Sequence, residues 1–113
     1  MKVVYMAHPL GNGPDREVNL QNAASWAAWI SVTYGVAVVA DWIVLASVLS
    51  EEWREHGLKV DLALVERCDE VWLVGGRVSP GMKIESEHAK SKGKPVEDLT
   101  RLGYAAPAIA RVP

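Results

Sequence analysis

The sequence holds no phenylalanine and only one cysteine in 113 residues. A single thiol, Cys68, excludes an intrachain disulfide, and cysteine usage gives no support for secretion. There is no basic excess either. The formal net charge is −2, which argues against a nucleic acid partner, although a local donor cluster could still hold one small anion. No apolar run reaches the length that spans a bilayer. Residues 36–49 come nearest, and Asp41 interrupts them. The opening MKVVYMAHPLG carries one lysine and an apolar stretch too short for the core of a signal peptide. Internal repeats, low-complexity segments and interdomain linkers are absent. What remains is a cytoplasmic protein of one domain, residues 1–113, with no membrane partner.

Half of the residues are hydrophobic, enough for a core without disulfide or metal support. Their periodicity alternates along the chain. Residues 2–7 (KVVYMA), 36–40 (VAVVA) and 70–74 (EVWLV) read as short buried strands, and residues 94–99 (KPVEDL) begin a fourth. Between them, residues 16–32, 58–67 and 82–92 read as helices, with Gly35 and Gly93 just past two of the ends. The segment 42–56 is ambiguous. Ser50 followed by Glu51 and Glu52 suggests a helix start, and Gly57 punctuates it. The residues around Pro107 and Pro113 read as a tail or a partner-docking arm. Strands alternating with helices imply an α/β fold: a single-domain, flavodoxin-like or Rossmann-like three-layer sandwich with a parallel four- or five-stranded sheet.

In such sheets ligands bind at the carboxyl ends of the strands. Those ends are residues 7–13 (AHPLGNG), the segment from Asp41 and Trp42, and residues 75–81 (GGRVSPG), which lead into a helix carrying Glu85. Glycines let backbone approach a ligand closely. The helix start offers free N–H groups and the positive end of a dipole, which should help keep Glu85 ionised for attack on an electrophilic sugar carbon. An acid near a helix start is also a common stabilising choice. Glu87 faces away from Glu85, so the two are no catalytic pair. Ala89 shares the face of Glu85 and is small enough to pack on the sheet, whereas His88 reads as a partly exposed helix residue. His8, His56, His88 and Cys68 lack metal-ligand spacing. GGRVSPG lacks the ending of a P-loop. Neither a metal nor a cofactor is expected.

The stretches 69–74 (DEVWLV), 79–85 (SPGMKIE) with Ala89, and 93–96 (GKPV), together with Tyr5-Met6-Ala7-His8-Pro9 at the start, resemble the nucleoside 2-deoxyribosyltransferase superfamily. The likeness runs over residues 2–96 and is strongest over 61–96. It includes the branch that cleaves nucleoside 5′-monophosphates, and it is closest to an uncharacterised group of phage and bacterial proteins. The resemblance implies that Glu85 is the nucleophile of a covalent glycosyl intermediate, that Asp61 assists protonation of the leaving base, and that Tyr5 orients the nucleophile. The candidate substrate contacts are the residues of the three strand-end loops and the helix start after them, His8, Pro9, Gly11, Asp41, Trp42, Ser79, Gly81 and Met82. Ser79 stands where the transferases tend to carry an Asp that binds a free 5′-hydroxyl. A Ser there tolerates a phosphate, to which Arg77 or Arg16 could add charge. Each residue also has an ordinary alternative: Ser79 as a turn residue, Asp61 as a solvated helix acid, Tyr5 as a core aromatic. His8 departs from the family's small residue at its position, and the segment after Val96 lacks the family's C-terminal residues.

The expected chemistry is N-glycosidic bond cleavage or transfer on a nucleoside or nucleotide. A non-catalytic nucleotide-sensing module and a hydrolase of another ribosyl substrate, such as a dinucleotide, stay open. Of five tryptophans in so short a chain, Trp26 and Trp29 sit three apart on one helix and could pack the core, while helix faces that stay apolar suggest a homodimer or higher homo-oligomer.

Overall fold

A computed structural model describes residues 1–109. Five consecutive apolar residues form β1 (Val3–Ala7), and all but the first are buried. Such a run suits a central strand covered on both faces. α1 (Asp15–Tyr34) follows and stops at Gly35, whose φ of 64° lets its N–H reach back to Ser31 O. Next come β2 (Ala37–Val39), α2 (Trp42–Val48), a 3-10 turn at Glu51–Trp53, α3 (Arg54–Arg67), β3 (Glu70–Leu73), α4 (Pro80–Ser91), β4 (Val96–Asp98) and a last 3-10 turn at Thr100–Leu102.

The four strands form one parallel sheet in the order β2-β1-β3-β4. This is the expected α/β architecture, with four strands. The chain leaves β1 towards β2 and then crosses back to β3. Right-handed crossovers therefore put α1 on one face and α3 and α4 on the other. The loops after β1 and β3 diverge, opening a crevice between them.

In the absence of phenylalanine, tryptophan fills the core. Trp26 is fully buried, with Ile30 and Ala23 on the same stripe of α1. Edge contacts link Trp26 to Trp29, Trp29 to Tyr34, and Tyr34 to Trp72 of β3, with ring centroids 5.1–5.6 Å apart. Such edge-to-face arrangements suit the ring quadrupoles.

Three local expectations are corrected. Gly57 does not punctuate a helix: α3 starts at Arg54 and runs through it. A glycine inside a helix costs only about 1 kcal/mol, which the packing of α3 on α2 and α4 outweighs. Helix α4 begins at Pro80, because Ser79 caps it by accepting from Met82 N and Pro80 needs no N–H at the first position. The segment around Pro107 does not begin as a free tail. Tyr104 is tied to α1 by three hydrogen bonds, and Ala106 packs on the core. Pro113 lies outside the described residues.

Candidate functional site

The strand ends meet around a cleft of about 430 Å³. The loops after β1 and β3 touch at its base. Gly75 has a φ of 96°, and a Cβ there would lie 2.7 Å from His8 Cδ2 and from Pro9 Cδ. Any side chain at this position would drive the two loops apart.

Three side chains from three elements meet at the floor. Tyr5, on β1, is fully buried and donates its hydroxyl to Glu85 Oε2. Glu85, on the second turn of α4, is 7% exposed. Asp61, on α3, lines the cleft beside it, and its Oδ1 is buried without a hydrogen-bond partner. A buried carboxyl oxygen left unpaired is costly unless a proton or a ligand reaches it.

The electrostatics correct one expectation. Helix α4 does not keep Glu85 ionised. Burial pushes its carboxyl up to about 8, and the charge of Asp61 adds to this, although the Tyr5 hydroxyl opposes it. The dipole acts within the first helical turn, and Glu85 is the sixth residue of α4. Burial also raises Asp61, to about 6, with the neighbouring Glu85 and Tyr5 side chains opposing the rise. Tyr5 is held well above the usual tyrosine range by burial and by the two acids. Near neutral pH the two carboxyls thus share a single negative charge.

The walls differ from the floor. Leu45, Ala46 and Leu49 from the α2 region, with Trp53 and Leu58, form an apolar side. Trp42 opens that side and is pinned by its indole N–H donating to Met6 O at 2.9 Å. Three arginines line the cleft. Arg16 Nη2 donates to Ala46 O and Leu49 O at 3.0 and 3.2 Å, holding the end of α2. Arg54 Nη2 donates to Gly11 O and to Asn12 Oδ1 at 3.3 and 2.6 Å, holding the first loop. Among the described residues none of the three is in a salt bridge. Their remaining N–H groups and the start of α4 can receive an anion.

His8 lines the same cleft, yet both its ring nitrogens are engaged. Nδ1 lies 2.6 Å from Pro9 O and Nε2 lies 2.8 Å from Asn22 Nδ2. Burial lowers its pKa, and the charge of Arg77 lowers it further, while the Pro9 carbonyl raises it. His8 therefore offers a ring face, near Trp42 and Tyr104, rather than a proton. Among the described residues no three His, Cys, Asp or Glu side chains converge as a metal site would require.

A family model described as a domain of unknown function, DUF7768, matches residues 2–99. The chain belongs to that family. Comparison with curated proteins gives no match. The matched stretch of this DUF7768 chain contains every floor and wall residue named above.

The structure brings Tyr5, Asp61 and Glu85 together, and puts His8, Gly11, Trp42, Ser79, Gly81 and Met82 on the cleft lining. It does not bring Pro9 or Asp41 there. Pro9 is fully buried behind the lining, packed against Gly75, because the chain turns inward after β1. Asp41 is exposed at the start of α2, where its carbonyl accepts from Val44 N and Leu45 N. Ala89 is buried as expected, and His88 bonds to Glu66 on the surface at 3.1 Å. Sequence reasoning missed Arg54, Asn22 and the α2 wall. A signal for Arg54 existed: Arg54, Leu58 and Asp61 form one stripe at helical spacing, hidden by ending the helix at Gly57.

Proposed function

We propose that this protein cleaves or transfers the N-glycosidic bond of (deoxy)nucleosides or their 5′-monophosphates through a covalent glycosyl-Glu85 intermediate. The observation that carries this reading is the trio on the cleft floor: Glu85 held by the Tyr5 hydroxyl, with Asp61 against both. Tyr5 occupies Oε2 and leaves Oε1 to attack. As the C1′–Glu85 bond forms, the C1′–N bond breaks, and its electron pair leaves with the base. Asp61 assists delivery of a proton to that base. Water or a second base then attacks C1′ and releases the Glu85 carboxylate. Two displacements retain configuration at C1′. The roles require Glu85 ionised and Asp61 protonated, the less populated of the two ways the pair can hold its single proton, so the proton must pass from Glu85 to Asp61 before attack. The resemblance to the nucleoside 2-deoxyribosyltransferase superfamily supports the same assignment.

Three arginines and the Ser79 cap favour a nucleotide over a nucleoside. The apolar side suits a base and has few groups to select one by hydrogen bonding. The reading also takes the protein as a cytoplasmic homo-oligomer, with Trp53, Val78 and Ile84, each 44–49% exposed, as the apolar surface to be covered.

The test is base release or exchange, followed by chromatography. The panel holds deoxynucleosides, ribonucleosides, their 5′-monophosphates and a nicotinamide dinucleotide, with and without a second free base. Turnover that disappears in Glu85→Ala is expected. Release of nicotinamide alone would make the substrate a dinucleotide. A second reading, a nucleotide-binding module without chemistry, draws on the neutral state of the buried Glu85 carboxyl. It requires nucleotide binding with no turnover and with unchanged affinity in Glu85→Ala.

A further inference from the structure

A strap runs behind the cleft. After the last 3-10 turn the chain passes so close to Gly76, whose φ is 84°, that a Cβ there would stand 2.9 Å from Tyr104 N and 3.2 Å from Gly103 C. Gly76 is followed directly by Arg77, and Ser79 lies three positions on. Tyr104 then settles on α1. Its carbonyl accepts from Asn22 Nδ2 at 2.8 Å and from Trp26 Nε1 at 2.6 Å, and its hydroxyl donates to Asn19 Oδ1 at 2.7 Å. Its ring lies 5.8 Å from that of His8.

The donors and acceptors in this network permit only one arrangement. A carbonyl can only accept, so the Tyr104 carbonyl fixes the amide of Asn22 with its NH₂ end inward. The same NH₂ stands 2.8 Å from His8 Nε2, which must therefore accept. His8 Nδ1, facing Pro9 O, must donate. Histidine is thus locked as the neutral form with its proton on Nδ1. A second proton, on Nε2, would face a donor. Asn22 could turn its oxygen to His8, but that oxygen would then face the Tyr104 carbonyl.

We infer that Asn22 is a positioning residue that ties the protonation state of His8 to the seating of Tyr104, and through Tyr104 to the loop that carries Arg77 and Ser79. The groups facing His8 are Asn22 from α1, Trp42 from α2, Gly75 and Arg77 from the loop after β3, and Tyr104 from the strap. Arg77 is the charged one, and it opposes protonation. The Tyr104 hydroxyl is titratable but is turned to Asn19. Acidification below the usual histidine range therefore breaks the Asn22–Tyr104 bond, loosens the strap on Gly76, and weakens whatever Arg77 and Ser79 hold. That last consequence rests on the reading of the cleft as a substrate site; the linkage itself does not.

The experiment uses the full chain and nuclear magnetic resonance. Long-range proton–nitrogen correlations read the His8 tautomer, and the Tyr104 amide and ring read the strap. At pH 7.5 the Nδ1–H form is expected. On acidification Tyr104 should shift with the midpoint of His8. In Asn22→Ala the Tyr104 response should fall to the small direct effect of the His8 charge on a ring 5.8 Å away. Asn22→Asp, whose carboxylate accepts from Nε2–H, should raise the His8 midpoint. An Nε2–H tautomer at pH 7.5, a flat Tyr104 in the wild type, or an unchanged Tyr104 titration in Asn22→Ala would overturn the linkage. If the base-release assay finds a substrate, its KM should rise severalfold through the His8 midpoint in the wild type and stay flat in Asn22→Ala. A KM flat in both would overturn the step from strap to loop. Absence of any turnover would count against the glycosyl-transfer reading, while the resonance data would still decide the linkage.

Discussion

The floor and the α2 wall of the cleft are built on different principles. The floor hangs from central secondary structure: Tyr5 from an interior strand, Glu85 from a helix packed on the sheet, both almost without exposure. The wall is a short helix and a 3-10 turn, with Val44, Val48 and Trp53 exposed by 68%, 81% and 49%. Arginine donors to backbone carbonyls help hold it. Rigid packing keeps the floor side chains in register, and burial sets their protonation. A lightly packed wall can move to admit a ligand. The two regions should therefore respond differently to substitution.

The largest effect is expected at the floor. Tyr5→Phe removes the donor to Glu85 and should lower kcat by roughly 10- to 100-fold, the usual worth of a hydrogen bond to a charged group, with KM little changed. Steady-state kinetics on the best substrate of the panel would check this. A change confined to KM would mean that Tyr5 shapes the cleft rather than the nucleophile.

The pH profile sharpens the comparison, because burial shifts both carboxyls of the floor. With carboxyls at about 6 and about 8, kcat/KM should follow a bell between apparent values near those figures, which belong to the pair. Glu85→Ala should abolish the profile along with the activity.

Stability should show the cost of that floor. The Glu85 carboxyl is at about 8 when folded against an ordinary 4.5. The folded state therefore binds the extra proton between those values, and Glu85 lowers stability progressively as pH rises through the window. Glu85→Gln escapes this loss and can still accept from Tyr5. It should match the wild type near pH 5 and exceed it in Tm by several degrees above pH 8, for a penalty on the order of a few kcal/mol. Thermal unfolding at the two pH values measures the difference, and a gap independent of pH would contradict it.

The smallest effect belongs to the wall. A Cβ at Gly57 meets nothing within 4 Å, so Gly57→Ala should stabilise α3 by about 1 kcal/mol in denaturant titration. Gly57 lines the cleft, so the methyl group should raise KM modestly and leave kcat alone. A fall in kcat would show that wall and floor are not separable.

The order of elements, the parallel sheet and the floor trio were all legible in the sequence. Apolar runs without alternation mark strands buried on both faces, and the resemblance carried by residues 69–74, 79–85 and 93–96 implied the roles of Tyr5, Asp61 and Glu85. The wall was not legible. Arg54 is 42 positions from Asn12, and Asn22 is 82 from Tyr104, and no local pattern announces such pairs. Pro9 and Asp41 failed as contacts for the converse reason: loop position says that a residue is near a strand end, not which way its side chain turns.

By itself, then, the sequence determined the architecture and the chemical type of the floor, because hydrophobic period and residue identity are local properties of the chain. Only the tertiary structure decided the charge state of that floor, the arginines that rim it and the tautomer of His8. Burial and hydrogen-bond polarity arise between elements distant along the chain, and exist only once it has folded.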